Sequence, residues 1–583
     1  MTIQKKTFRR EFHLSIGMLA GLIPVIAFPV MAQTSQVTGS PSGTDPNRDR
    51  FPQSIPSPNP IPSNQSSPIL TPNPKPVTPN TNLSDTPISV RKIEVLGSTV
   101  LSESDIRGLT QKYEGKIVNF SELQQLADAL TNIYFKRGYI TSRAILKAQT
   151  VTDGIIQIQI EEGNIERIEL EGLQRVQASY IRRRLELGIT KPLRVDKLED
   201  QLRLLRIDPL FSNVDASLRL GSQEGLSILQ VRVKESNAFT ASVNLDNYSP
   251  PSVGSERAGL SLGYRNITGN ADELTGAYQR SFSGGLNALD FSYRIPVNPM
   301  NGTVQLRVAA NWSRITDDKF APLDLKGNTN LYEVSYRQPL IRSSTEELAL
   351  SLGFTYQDGQ TFIFNDLPFS FGIGPDGEGK SKTRVLRFGQ DYTKRDTNGA
   401  WALRSQFNFG LGIFDATNNA DPVPDGHFFS WLGQVQRIQQ LNDSNLLILQ
   451  SDLQLTPDSL LPSQQFVIGG GQSTRGFRQN VRSGDNGFRL SAENRITITR
   501  HSNGTPIFQI APFVDVSTVW NKSDNPNLLP RQNFLAGGGI GLIWEPIPNL
   551  SMRLDGAVPL VNLDDRGNNV QEKALYFSLN YRL

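Results

Sequence analysis

The chain has 583 residues, enough for several domains, with no cysteine and three histidines. Disulfide frameworks and thiolate chemistry are thereby excluded, and His427 and His501, the two histidines beyond the leader, are too isolated for a His-rich metal site. The formal charge of +3 belongs to the first 32 residues, where Lys5, Lys6, Arg9 and Arg10 stand against Glu11 (4 − 1 = +3); the remainder balances to zero and offers no charge argument for nucleic-acid binding.

The N-terminus reads as a secretory signal over residues 1–32. A basic segment precedes the apolar stretch Leu14 to Val30, and Val30-Met31-Ala32 forms a small-residue cleavage site before Gln33. Beyond it no run of 18 apolar residues occurs, so a membrane-spanning chain of this sequence must cross as a β-barrel. Residues 33–87 carry 13 prolines among Ser, Asn and Thr. That composition buries too little apolar surface to offset its ordering entropy, and a disordered tether is expected.

Residues 88–162 read as a small α/β unit. Val90, Ile93 and Val95 mark a first strand, and Ser102 with Asp105 caps a short helix. Ser121 and Gln124 form a second capping pattern before a helix with Leu123, Leu126, Ala127, Leu130, Ile133 and Tyr134 on one face, ending at Gly138. A strand from Tyr139 to Lys147 and one carrying Ile156, Ile158 and Ile160 close the unit. The order β-α-α-β-β recurs over 163–236, with a strand at Ile165 to Leu170, a helix from Gln177 to Glu186, a helix opened by Asp196 and Glu199, and two final strands. Each three-stranded sheet leaves an edge to which an extended peptide can pair.

From 237 to 583 helical periodicity disappears, and 16 candidate strands follow. Val304, Leu306, Val308, Ala310 and Trp312 face one way, Gln305, Arg307 and Asn311 the other. Ten-residue runs with one lipid-facing and one polar side, even in number, describe an outer-membrane barrel, and about 16 strands enclose an aqueous lumen. Between the eleventh and twelfth strands lies GGGQSTRGFRQN, Gly469 to Asn480. A long irregular loop in a compact domain usually has a function. It reads either as a surface hairpin or as a loop folded back into the barrel with Arg475 on the inner wall. In FQIAPFVDVST, Phe508, Ile510, Val514 and Val516 face outward, which puts Phe513, Asp515 and Ser517 on the lumen side. Asp515 is then either the partner of Arg475 in a charge-assisted pair or a water-bathed pore carboxylate.

These residues resemble the two-partner secretion transporters, the haemolysin and filamentous-adhesin secretion/activation proteins of the BamA superfamily. The loop motif V/I-R-G-F is matched by Arg475, Gly476 and Phe477, and the strand motif F-x-D-x-G by Phe513 and Asp515. Gly138, Tyr139, Ile140, Thr141, Ser142 and Arg143 resemble a segment of the family's first polypeptide-transport-associated (POTRA) domain. Thr474 stands where the family has an aliphatic residue and Ser517 where it has glycine. The resemblance implies a mainly β protein, two POTRA domains before a 16-stranded barrel in the outer membrane. It implies secretion of a large adhesin or haemolysin-like partner polypeptide captured in the periplasm, with outer-membrane lipid and the barrel-assembly machinery as further partners. Some family members carry a pore-plugging N-terminal helix, for which residues 33–87 show no helical pattern. The alternatives are a BamA-like insertase and a passive porin-like channel. No enzyme constellation or cofactor site stands out: Gly469 to Gly476 lacks the Lys-Ser/Thr of a phosphate loop.

Overall fold

The computed structural model describes residues 70–72 and 87–583. The expected signal peptide and nearly all of the proline-rich tract lie outside them.

In the first α/β unit Ile88–Val90 pairs with Lys116–Val118, and Lys92–Leu96, Ile155–Glu161 and Arg143–Ile145 form a three-stranded sheet. The helix Phe120–Lys136 lays Leu123, Leu126, Ala127, Leu130 and Tyr134 on Ile156, Ile158 and Ile160, all buried. Fully burying a large aliphatic side chain of this kind contributes about 2 kcal/mol. Ser102 and Asp105 form the expected capping box of Glu103–Thr110. At the longer helix the cap lies two residues earlier than expected. Asn119, in extended conformation, accepts from the Glu122 amide and receives Glu122's carboxylate on its own N–H, both at 2.8 Å. An amide side chain serves this position as well as a hydroxyl, and Asn119 with Glu122 takes the place of the expected Ser121 with Gln124. The expected strand Tyr139 to Lys147 contracts to Arg143–Ile145, because Gly138 ends the helix at φ +87° and Tyr139 to Ser142 form a turn.

The second unit runs Asn164–Glu171, helix Ala178–Glu186, helix Val195–Arg206, Phe211–Leu220 and Leu226–Glu235. Its second helix starts from Arg194 without a side-chain cap, and Asp196 binds Arg194 at 2.7 Å instead of capping. The sheet has a fourth strand: Leu70–Pro72 lies parallel to Phe211–Leu220 at its edge. That stretch of the tract is therefore structured, contrary to the expectation of a wholly disordered tether. Three residues separate Leu226–Glu235 from the first wall strand.

Sixteen wall strands, from Phe239–Asp246 to Leu575–Arg582, close an antiparallel barrel, as the alternation predicted. A two-residue strand, Leu367–Pro368, is an extra pairing on one hairpin. Leu306, Val308 and Trp312 are exposed to the lipid side, and Arg307 between them is buried. Strands such as Glu346–Ile363, at 18 residues, are longer than the roughly ten residues that cross a bilayer. The second unit docks on the turns of one barrel end. Gln177 donates to Thr268, Arg184 to Asn301, and Ser344 donates through its amide and hydroxyl to Asp200.

Candidate functional site: the Arg475 loop on the inner wall

The loop between Asn445–Leu455 and Asn486–Arg500 folds back into the barrel. A short ribbon, Phe466–Ile468 with Arg482–Gly484, brings its arms together, and the turn Gly469 to Val481 sits at its end. The surface-hairpin alternative is overturned, since Thr474, Arg475 and Phe477 are all buried.

Arg475 reaches Asp515 with two parallel bonds, Nε to Oδ2 at 2.7 Å and Nη2 to Oδ1 at 2.9 Å, and its backbone N–H adds a third at 3.1 Å. A guanidinium fork and a carboxylate match in this bidentate way, which fixes orientation as well as distance. The Arg475 guanidinium carbon lies 3.3 Å from the centroid of the Phe513 ring, so the charge also rests on an aromatic face. Phe513 and Asp515 project inward from Pro506–Trp520 on alternate positions, as the sequence pattern requires. Ser491, directly opposite Asp515 in the ladder, donates to it at 2.6 Å.

The pair belongs to a larger set. The third guanidinium nitrogen of Arg475 binds Glu493 at 2.8 Å, and Glu493 also receives Arg553 at 2.6 Å and Arg495 at 2.9 Å. Arg553 in turn binds Asp555 at 2.8 Å. Three arginines (475, 495, 553) thus face three carboxylates (493, 515, 555), and the set is neutral. Burying charge is tolerable only when each member is paired and bonded.

Neighbouring residues seat the loop's backbone. Gly476 donates to the Tyr576 hydroxyl at 2.8 Å, and that hydroxyl donates to the Phe477 carbonyl at 2.7 Å. Phe477 inserts among Phe466, Ile468, Val481, Val519 and Leu535. Gln571 accepts from Gln479 and donates to the carbonyl of Ser249, tying the loop to the chain just beyond the first wall strand. Asn247 continues the closing seam past its last ladder pair, its side chain bonding Leu575 and Phe577 across the junction. On the far side of the turn Arg478 and Arg482 both bind Asp565. These bonds, Arg482's first, hold the Asp565 carboxyl well below the usual carboxylate range.

The residues at 474 and 517, where the chain departs from the motifs, touch each other. Their hydroxyls share a hydrogen bond of 2.5 Å, and both residues are fully buried. The glycines from Gly537 to Gly541 have a local reason too. A Cβ at Gly537 would overlap the Arg475 carbonyl oxygen, so this glycine makes room for the loop on the wall.

The segment Gly138 to Arg143 lies far along the chain from this site, at the junction of the two α/β units. The Gly138 carbonyl accepts from Val195, which opens the second unit's helix, and Ser142 accepts from Gly163 at 2.9 Å. Tyr139 packs edge-on against Tyr134 with ring centroids 6.0 Å apart, Gly163 lies close against Thr141, and Arg143 approaches Glu161 and Glu224. Sequence reasoning missed Glu493, Arg553, Tyr576 and Gln571. Alternation along Asn486–Arg500 gives Glu493 an inward face, but only cross-strand register brings it to Arg475.

No helix among the described residues is long and apolar enough to cross a membrane, and no His, Asp and Glu group there could hold a metal ion. A closed barrel with an inner-wall loop latch and α/β modules at one end is the architecture that the resemblance implied for an outer-membrane transporter. The family model of haemolysin secretion/activation proteins (ShlB/FhaC/HecB) matches residues 225–543, and the ShlB-type POTRA model matches 88–163. The chain belongs to this haemolysin secretion/activation family, the outer-membrane transporters of two-partner secretion. It is similar to the outer membrane transporter CdiB of Dickeya dadantii, 24% identical over 412 residues, covering 68% of this chain and 70% of that one. In fold it resembles the structure of CdiB from Escherichia coli, with a TM-score of 0.67, 22% identity and coverage of 89% and 94%. BamA from Haemophilus ducreyi lacking POTRA domains 1–3 is a more distant likeness of fold, with a TM-score of 0.51, 17% identity and coverage of 85% and 100%.

Proposed function

We propose that this transporter moves its partner, a large adhesin or haemolysin-like polypeptide, through the barrel in extended form, with the two α/β units as the capture surface and the Arg475 loop as the element that governs the lumen. The observation carrying this reading is the loop's attachment. One arginine on a turn is bonded to two carboxylates of the wall, while the barrel itself is held by backbone ladders. A latch that contributes no ladder bonds of its own can release without opening the ladders, which suits it to gating. Free sheet edges in the α/β units offer unpaired backbone groups to an extended chain. Lipid contact falls to the exposed apolar band of the wall, and the barrel-assembly machinery is the proposed route of insertion.

The test is secretion of the partner polypeptide, measured outside the cell. Removal of residues 88–235 with the barrel intact is expected to abolish export, and normal export by that variant would refute the capture role. A passive channel has no need of the α/β units and would be insensitive to the deletion.

A further inference from the structure

On the lipid-facing side of the wall, Thr303–Arg314, Lys326–Arg342 and Glu346–Ile363 frame a groove of about 570 Å³, lined by Leu306, Val308, Tyr332, Val334, Phe354 and Tyr356. These side chains stand opposite one another in the ladders. Leu306 faces Val334, which faces Phe354; Val308 faces Tyr332, which faces Tyr356. The volume falls within the roughly 300–1,000 Å³ of small-molecule sites. Tyr332 and Tyr356 meet edge-on, ring centroids 6.1 Å apart, and neither hydroxyl has a hydrogen-bond partner among the described residues. Glu346 follows the turn on which the second α/β unit docks, and Tyr356 comes ten residues later (356 − 346 = 10). About that many residues cross a bilayer, so the two tyrosines lie at the outer interface, the level of an aromatic girdle.

The outer end of the groove is charged. Arg384, opposite Tyr356 in the strand Lys380–Arg395, lies on that ring with its guanidinium carbon 3.3 Å from the centroid. It is fully buried and engaged: Nε donates to the Phe414 carbonyl at 3.0 Å, and Nη1 pairs with Asp358 at 2.8 Å. Phe414, exposed itself, sets its ring edge-on to Phe354 with centroids 6.5 Å apart and forms a lip beside the groove. Lys382 stands on the same face, two residues or about 7 Å further out along the strand. The carboxylate across the ladder from it, Asp358, is the one taken by Arg384, and neighbouring Lys380 is bonded to Glu378. The Lys382 ammonium has no hydrogen-bond or ion-pair partner among the described residues.

We propose that this groove is a binding site for an anionic, phosphate-bearing lipid of the outer leaflet. An acyl chain lies along the groove from Leu306 towards Tyr356, and the phosphate meets Lys382; Arg384 is a positioning residue that holds the Phe414 lip. Two observations favour a lipid over a soluble anion. The groove is continuous with the lipid-facing band of the wall, and its single free cation sits just beyond the aromatic level, where headgroups lie. A soluble anion would gain nothing from the apolar floor. Bulk lipid covers the rest of the wall without regard to headgroup, whereas here a slot for a tail leads to one unpaired charge, which selects an anionic headgroup.

The test uses the full chain purified in detergent, titrated with dioleoyl phosphatidic acid or dioleoyl phosphatidylcholine and read by native mass spectrometry. The second lipid has the same tails, but its phosphate is balanced by its own cation. One retained lipid per chain is expected, with phosphatidic acid held roughly three- to tenfold more tightly. Lys382→Gln is expected to bring the two lipids level by weakening phosphatidic acid alone. Val334→Trp fills the groove from the lipid side and is expected to weaken both. Lys394→Gln removes a cation from the same face at the other end of the strand and is expected to keep the preference. The heat-modifiable band reports that each variant is folded. Equal retention of the two lipids, an unchanged preference in Lys382→Gln, the same loss in Lys394→Gln, or unchanged retention in Val334→Trp would each overturn the site. Displacement of the lipid by inorganic phosphate would assign Lys382 to a free anion and overturn it as well.

Discussion

At the scale of single residues, the Arg475 guanidinium is shared between two carboxylates, so its loss unbalances a six-charge set. Arg475→Ala leaves two arginines against three carboxylates, whereas Arg475→Ala with Asp515→Ala leaves two against two. Stranding a buried charge costs about 3–5 kcal/mol in a dry site and less beside luminal water. The double variant is therefore expected to be no worse than either single one, with the heat-modifiable band reporting assembly and external partner reporting transport. Strictly additive losses would show that the two residues act independently. The hydroxyl pair makes a sharper case. Thr474→Val strands the fully buried Ser517 hydroxyl, a penalty of about 1–3 kcal/mol, while Thr474→Val with Ser517→Gly removes both hydroxyls and is expected to be nearly neutral in thermal stability. In the first α/β unit the Asp105 carboxyl is lowered to about 2, by the Ser102 hydroxyl first, then the Ser102 amide and Arg137. Its ordinary value is about 3.9, so the bonded carboxylate contributes stability above that pH and loses it as pH falls towards 2. An acid titration followed by circular dichroism should show Asp105→Asn less stable than the parent above pH ~4, the two converging below it. The inward placement of Phe513 and Asp515 was legible in the sequence, because strand alternation assigns a face to each residue. Which inward residues meet was not, since that depends on the register of strands 20 to 60 residues apart, roughly the spacings that separate Glu493, Arg553 and Asp515.

At the scale of elements, the helix Phe120–Lys136 shows where local signals mislead. The expected cap was Ser121 with Gln124, and the structure uses Asn119 with Glu122. Asn119→Ala is expected to lower the unit's stability by about 1 kcal/mol in denaturant unfolding, and Ser121→Ala to leave it within a few tenths. Equal losses would restore the later cap. The wall strands were far easier to read, since twelve of the sixteen run for ten residues or more and the alternation has room to repeat. Leu70–Pro72 carried no such signal. A three-residue strand between prolines is too short for alternation to mean anything, and its place is set by the edge it meets.

At the scale of the whole molecule, the Gly537 wall position, the loop and the last strand act together. Gly537→Ala puts a methyl group where the Arg475 carbonyl lies, while the ladder of Phe534–Trp544 is untouched. The variant is expected to insert and remain heat-modifiable, but with the loop unseated. Protease access to Arg475 and Arg478 in intact membranes would read this, and unchanged protection would show that the wall has slack. Closure and loop seating are joined through Tyr576 and Gln571, so the loop is also a brace across the barrel's seam.

The three-residue passage from Leu226–Glu235 into Phe239–Asp246 has a mechanical side. Load applied to the second unit's sheet has almost no slack to take up before it reaches the first wall strand. That strand is one lip of the barrel's closing seam, joined to Leu575–Arg582 by five register pairs. Traction on a chain held at the Phe211–Leu220 edge would thus run through one hairpin of the sheet and arrive at the seam as shear along its hydrogen bonds. The docked contacts at Thr268, Asn301 and Ser344 would share that load with the turns at the barrel's end.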